Sequence, residues 1–225
     1  MLDIPSNSLF VKICGITRRE DAALCADAGA DAIGINFYKG SKRCHPLSQA
    51  REWLGSFSGP GHPARVALFV NAQLDEIREA CESGLFEAIQ LHGDEALEFC
   101  AAVENFGLPV IRALAMRTRD DLARMKNHPA SAFILDAAVT GAYGGTGQTA
   151  DWALAAEAVR RFPNTPIFLS GGLTPGNVAK AISIVRPSGV DVASGVESAP
   201  GFKDPEKTAR FIHEARGAHN SRLIP

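Results

Sequence analysis

The sequence predicts a single-domain (β/α)8 barrel spanning residues 1–225, and three observations predict it. The chain has 225 residues, 46% hydrophobic and 21% charged, which suits one large globular domain. Apolar runs of strand length alternate with amphipathic helical stretches from end to end, the pattern of repeated βα units. Eight such runs occur, each followed by a helix pattern, which is the count a closed barrel requires. A doubly wound parallel sheet is the alternative, because strand order is not written in a sequence.

The elements follow in order. The first strand is 9–14, and the helix over 18–28 sets Ala22, Leu24, Cys25 and Ala28 on one side before stopping at Gly29. Strands follow at 32–36 and 65–70, separated by a helix and a Gly/Pro loop at 55–63. The run 66–70 is continuously apolar, as a strand buried on both faces should be. Further strands fall at 88–92, 110–113 and 131–136. Asp151 is placed to cap a helix over 152–162. After a strand at 167–170, Thr174 reads as an N-cap with Pro175 in the first helical position. The eighth strand is 190–194 and the last helix 203–215; residues 1–8 and 217–225 should fray.

Composition narrows the function. Lys and Arg number 23 against 25 Asp and Glu, so no basic field invites nucleic acid. The start lacks the regions of a signal peptide, and no apolar run reaches membrane-spanning length. Five scattered cysteines show neither zinc-knuckle spacing nor a disulfide framework, which fits a reducing cytoplasm and no bound metal.

Barrels keep their chemistry at the carboxyl ends of the strands. Polar and glycine residues concentrate there: Cys14-Gly15, Asn36, Asn71, His92-Gly93-Asp94, Asp136, Ser170-Gly171-Gly172 and Ser194-Gly195. Alone, Cys14 would read as a small buried hydrophobe. Its company makes it a reactive thiol. Gly171, Gly172, Ser194 and Gly195 lie after strands seven and eight, where exposed amides and helix starts can hold a phosphate. The loop over 140–149 carries Gly144, Gly145 and Gly147 and reads as a lid over the substrate. Lys39, Lys42 and Arg43 sit in the loop after the second strand, and Arg43 suits forked recognition of a carboxylate. The neighbouring Cys44-His45 pair is too little for a metal site. Lys12 shares strand parity with Cys14 and should point inward, toward Asp191 or Gln90, unless it reaches the solvated lower rim. His92 faces the mouth as an orienting or packing group.

Together KICGIT at 12–17, GINF and SKR within 34–43, FVN at 69–71, QLHGDE at 90–95, LDA at 135–137, GGTG at 144–147, SGGLTPGNV at 170–178, DVASGVES at 191–198 and PGFKD at 200–204 carry a resemblance. The chain resembles the phosphoribosylanthranilate isomerase family of tryptophan biosynthesis along nearly its whole length. The resemblance implies a cofactor-free Amadori rearrangement of a small phosphorylated sugar–anthranilate substrate. It assigns the general base to Cys14, the general acid to Asp136 and the anthranilate carboxylate to Arg43. The family commonly has Ser-Pro-Arg where this chain has Ser41-Lys42-Arg43. Whether the chain is a monomer or a homodimer stays open.

The chemistry asks for these groups. An acid must protonate the furanose oxygen and a base must take the C2′ proton, while the anthranilate nitrogen accepts electrons as an iminium. A phosphate held after strands seven and eight would set the sugar between strands six and one, with the aryl ring reaching toward strand two. A free thiol near 8.5 is a few per cent thiolate at neutral pH, so Cys14 should need only modest tuning. A free aspartate near 3.9 is almost wholly ionised there, so either burial or a nearby anion favours its acid form or the small protonated fraction suffices. Two rivals remain. A histidine-pathway sugar isomerase would end its first strand in aspartate, and a silent barrel would bind a phosphorylated ligand without turnover.

Overall fold

The computed structural model describes residues 8–57, 59, 61–126, 128–137 and 151–221. Eight strands form the frame: β1 (Phe10–Cys14), β2 (Ala32–Asn36), β3 (Ala64–Phe69), β4 (Ala88–Leu91), β5 (Val110–Met116), β6 (Ala132–Ala137), β7 (Ile167–Leu169) and β8 (Gly189–Val192). Each pairs in parallel with the next, and β8 pairs with β1 to close the ring. Closure excludes the doubly wound sheet.

The helices α1 (Arg19–Asp27), α2 (Leu47–Leu54), α3 (Leu74–Glu82), α4 (Leu97–Glu104), α5 (Trp152–Arg161), α6 (Val178–Val185) and α7 (Pro205–Asn220) lie outside the ring. Strand alternation sorts the side chains. Val11, Ile13, Ile33, Ile35, Ala67 and Phe69 point outward and pack with the helices. Phe10, Ala32, Val66, Ala88, Ile111, Ile134 and Phe168 point inward and fill the floor of the barrel. Among the described residues no helix is long and apolar enough to cross a membrane.

Four local expectations are corrected. The fifth connection is a 3-10 segment, Arg119–Met125, not an α-helix. The Asp121 carboxylate accepts the Arg117 and Thr118 amides and holds the chain in tight turns. Helix α6 begins at Val178, four residues after Thr174. Asn177 explains this: it accepts the Thr174 amide at 2.8 Å and donates to the Gly172 carbonyl at 2.9 Å, folding 172–177 into a turn. Between β8 and α7 stands a two-stranded hairpin, β9 (Glu197–Ala199) and β10 (Phe202–Lys203), so Lys203 is a strand residue and not the start of the last helix. Helix α7, capped by Asp204, runs past Gly217 to Asn220, so 217–220 are helical rather than frayed.

The barrel floor is tight at one glycine. Phe10 and Phe168 stack with centroids 5.2 Å apart. A β-carbon on Gly189 would stand 2.6 Å from the Phe10 carbonyl oxygen and 2.7 Å from the Phe168 ring. Gly189→Ala is therefore expected to destabilise the fold by about 1–3 kcal/mol through overpacking. Urea unfolding checks this; an unchanged midpoint would show that the floor can relax.

Candidate active site

The inward face of β1 carries Lys12 and then Cys14. Lys12 pairs in register with Asp191 on β8, and its ammonium lies 2.8 Å from the Asp191 carboxylate with no exposure to solvent. The interior pair, not the rim, is the arrangement adopted, and the partner is Asp191, not Gln90. Ser170 donates to the other Asp191 oxygen at 3.4 Å. Burial works against the charge on Lys12, but the Asp191 carboxylate and the Cys14 thiol more than offset it, and its pKa is raised. The ammonium stays charged.

Cys14 is buried beside that ammonium. Burial pushes its thiol above the ordinary value; Lys12, and more weakly Lys203, pull it back, while Asp191 adds to the rise. The expectation of modest tuning is thus corrected: the thiol starts further from ionisation than a free cysteine, because water has been removed from around it. The space for this contact comes from Gly34 on β2. A β-carbon there would stand 2.8 Å from the Cys14 sulfur and 3.1 Å from Lys12 Nζ.

Asp136, at the end of β6, is buried and lies 3.2 Å from Nε2 of His92. The Gln90 amide is 3.0 Å from Nδ1 of the same ring. In this orientation Gln90 donates to Nδ1, which leaves the ring proton on Nε2, aimed at Asp136. His92 thus bridges the Gln90 amide and the Asp136 carboxylate. The turn that follows it is pinned from outside the barrel. Arg112 pairs with Glu95 and donates to the carbonyls of Leu91 and Gly93, and Glu95 accepts the Asn71 and Gly93 amides.

The loops after β7 and β8 form a cup. Gly171 and Gly172 take positive φ, 87° and 63°, which side chains disfavour. Gly195 packs directly on the Leu173 carbonyl, where a β-carbon would collide. The amides of Gly171 and Gly172 donate to no backbone acceptor among the described residues. The cup, about 30 Å³, is lined by these glycines with Ser170 and Ser194, and Asp136 and Asp191 form its inner edge. It adjoins a cleft of about 60 Å³ lined by Cys14, Arg43, His92 and Asp136.

Arg43 reaches the cleft but is not unattached. Nε and Nη2 grip the Glu197 carboxylate at 2.8 and 2.7 Å. Ser41 stabilises the loop, its hydroxyl accepting from the Arg43 amide and from Asn36, both at 3.1 Å. Gly15 (φ 76°) leaves the Arg43 stem its path, since a β-carbon would lie 2.5 Å from Cδ. Lys39 and Lys42 are exposed and do not join it. Glu197 and Lys203 are the residues that sequence reading misses. Their one signal is charge within an apolar, glycine-rich stretch beside the cup. Gly144, Gly145 and Gly147 lie outside the described residues.

No group of three metal-ligating side chains occurs among the described residues, and His45 accepts a hydrogen bond from Trp53 at 3.2 Å. A larger cavity, about 570 Å³, opens at the opposite end of the barrel near Asp31, His62 and Glu87. Asp31 is committed to Arg216 and Glu87 to Arg65, so its carboxylates serve the fold.

Comparison with known proteins matches residues 11–214 to the family described as N-(5'phosphoribosyl)anthranilate (PRA) isomerase. An N-(5'-phosphoribosyl)anthranilate isomerase of Geotalea uraniireducens is 46% identical over 207 residues, 92% of this chain and 98% of that one. The phosphoribosyl anthranilate isomerase of Thermotoga maritima superposes with a TM-score of 0.84 at 40% identity, covering 93% of this chain and 99% of that one. A structure of such an isomerase bound to reduced 1-(o-carboxyphenylamino)-1-deoxyribulose 5-phosphate superposes with a TM-score of 0.80 at 37% identity, with the same coverage.

The buried pair sets a stability test. Lys12→Met strands the Asp191 carboxylate in the barrel and should cost about 3–5 kcal/mol. Adding Asp191→Asn should restore much of that loss. Urea midpoints of the two variants check it; equal destabilisation of single and double variants would show that the pair does not act as a unit.

Proposed function

The chain belongs to the N-(5'-phosphoribosyl)anthranilate isomerase family, and on that premise we propose which of its side chains move the protons. The reaction is the Amadori rearrangement of N-(5-phosphoribosyl)anthranilate to 1-(2-carboxyphenylamino)-1-deoxyribulose 5-phosphate, a step of tryptophan biosynthesis.

One observation carries the proposal: Cys14 and Asp136 line a single cleft beside a glycine-rich cup. The cup of Gly171, Gly172, Ser194 and Gly195 holds the substrate phosphate through backbone amides and the partial positive charge of the turn that follows. Asp136 gives its proton to the ring oxygen as the C1′–oxygen bond opens and the nitrogen lone pair forms the iminium. The Cys14 thiolate then takes the C2′ proton, the electrons move to nitrogen, and the resulting enol becomes the ketone as C1′ gains a proton and the C2′ hydroxyl loses one. His92 keeps the Asp136 carboxyl turned to the cleft. Lys12 supplies the positive charge that makes a buried thiolate tolerable. Arg43 holds the anthranilate carboxylate with the guanidinium edge that Glu197 leaves open.

Loss of substrate fluorescence on mixing with freshly made N-(5-phosphoribosyl)anthranilate tests the activity; well-folded protein without turnover sinks the proposal. Cys14→Ala and Asp136→Asn should each lower kcat by about 10²–10⁴ with the circular dichroism unchanged. A near-normal rate in either removes that residue from its role. Arg43→Ala should mainly raise KM, by about tenfold or more.

The acid limb of kcat/KM reports Cys14, which must be deprotonated to act. Lys12 lowers the thiol more than Asp191 raises it. Replacing both, by Lys12→Met with Asp191→Asn, should move that limb to higher pH. A shift to lower pH would show that the ammonium does not support the thiolate.

A further inference from the structure

We infer that Glu197 and Lys203 are positioning residues that turn Arg43 into a clamp for one carboxylate on the substrate's aryl amine. The inference rests on the isomerase reading and deepens it.

The hairpin places Lys203 directly across from Glu197. Both are buried, at 3% and 8% exposure. Lys203 donates to Glu197 at 2.9 Å, to the Cys14 carbonyl at 2.7 Å and to the Ala193 carbonyl at 3.1 Å. An ammonium has three hydrogens, so Lys203 is saturated and cannot itself bind a ligand. Arg43 has five N–H groups and gives two to Glu197 along its Nε–Nη2 side. Three remain, and one hydrogen on each terminal nitrogen forms a second fork that fits a carboxylate. The Glu197 carboxyl is held below its usual value, Arg43 and Lys203 outweighing the effect of burial.

The charges add to one conclusion. Arg43 and Lys203 bring two positive charges and Glu197 one negative. Lys12 and Asp191 cancel each other nearby, and the Cys14 thiol is neutral at rest. A single net positive charge is left at the aryl end of the cleft. One carboxylate neutralises it. A neutral ring leaves the open edge of the half-buried guanidinium without a carboxylate, which is a penalty against the wrong substrate as much as a reward for the right one. Glu197 also fixes the plane of the guanidinium, so the open edge faces the cleft without loss of rotamer freedom on binding.

The test uses two ligands, the reduced product analogue 1-(o-carboxyphenylamino)-1-deoxyribulose 5-phosphate and its counterpart lacking the carboxyl group. Calorimetry gives the affinity ratio for the wild type, Glu197→Gln, Arg43→Ala and the double variant. The wild type should favour the carboxylate by about 10- to 100-fold, the range of charged hydrogen bonds. Glu197→Gln should cut that preference by about tenfold, leave the affinity for the neutral ligand within about threefold, and raise KM far more than it lowers kcat. In the Arg43→Ala background it should change the preference no further, because it acts through Arg43. A preference that survives Glu197→Gln overturns the clamp. So does an equal fall with and without Arg43, or a loss confined to kcat. If Glu197→Gln does not fold, Glu197→Asp is read on the same scale, since it keeps the charge but shortens the reach. Wild-type turnover separates the layers: none sinks the isomerase roles, whereas turnover with an unaltered preference sinks only the clamp.

Discussion

A buried ion pair at the seam between the first and last strands organises the inside of this barrel. Lys12 and Asp191 face each other in register, 2.8 Å apart and away from water. Two charges in such a place are costly unless their geometry is good and their remaining hydrogen-bonding capacity is met. Ser170 takes up the free Asp191 oxygen, and the Cys14 thiol lies against the ammonium. The pair divides the interior into levels. Below it is the apolar floor of Phe10, Phe168 and their neighbours. Above it are the thiol, the carboxyl of Asp136 and the glycine cup. Stability alone would favour apolar residues at this level. What the pair provides is a fixed positive charge beside a sulfur whose pKa burial raises.

The mouth depends on two further anchors of the same kind, both set outside the cleft. Arg112 and Glu95 tie the turn after β4 to the end of β3, and so fix the ring of His92 against Asp136. Glu197 and Lys203 tie the hairpin after β8 to the backbone of Cys14 and to Arg43. Each anchor spends an ion pair on loop backbone that no strand ladder supports. Loops that carry reacting groups need such support, because a carboxyl or guanidinium displaced by an ångström loses its effect.

Much of this was legible in the chain. Strand parity alone placed Lys12 and Cys14 on the inner face, and the need to pair a buried ammonium pointed to Asp191 or Gln90, of which the barrel uses Asp191. The glycines after the seventh and eighth strands announced the cup, since only backbone free of side chains can approach an anion so closely. Other features were hidden for physical reasons. Glu197 meets Arg43 across 154 residues, and Lys203 meets Cys14 across 189; no local period encodes a contact of that range. The α6 start misled because Thr174-Pro175 is a sound helix opening until the Asn177 side chain competes for the same backbone. Gly34 looked like an ordinary strand glycine, and only the packed barrel shows that its missing side chain is room for the sulfur.

The ionisation of these groups bounds the conditions in which the site holds together. Glu197 is more acidic folded than free, through Arg43 and Lys203. Its contribution to stability is therefore present above the ordinary glutamate value and is lost as pH falls through the lowered folded one. Lys12 is shifted the other way: its pKa is raised in the fold, so its contribution is present below the ordinary lysine value and lost only as pH rises through the higher folded one. Acid thus loosens the Arg43–Glu197–Lys203 cluster, and strong alkali loosens the centre of the barrel. Between these limits Glu197 and Lys12 keep their charges. The Cys14 thiol is raised by burial, and in the proposed reaction it is the group that gives up a proton to act. The fixed charges around it therefore form a constant field, and the thiol is the variable that the field controls.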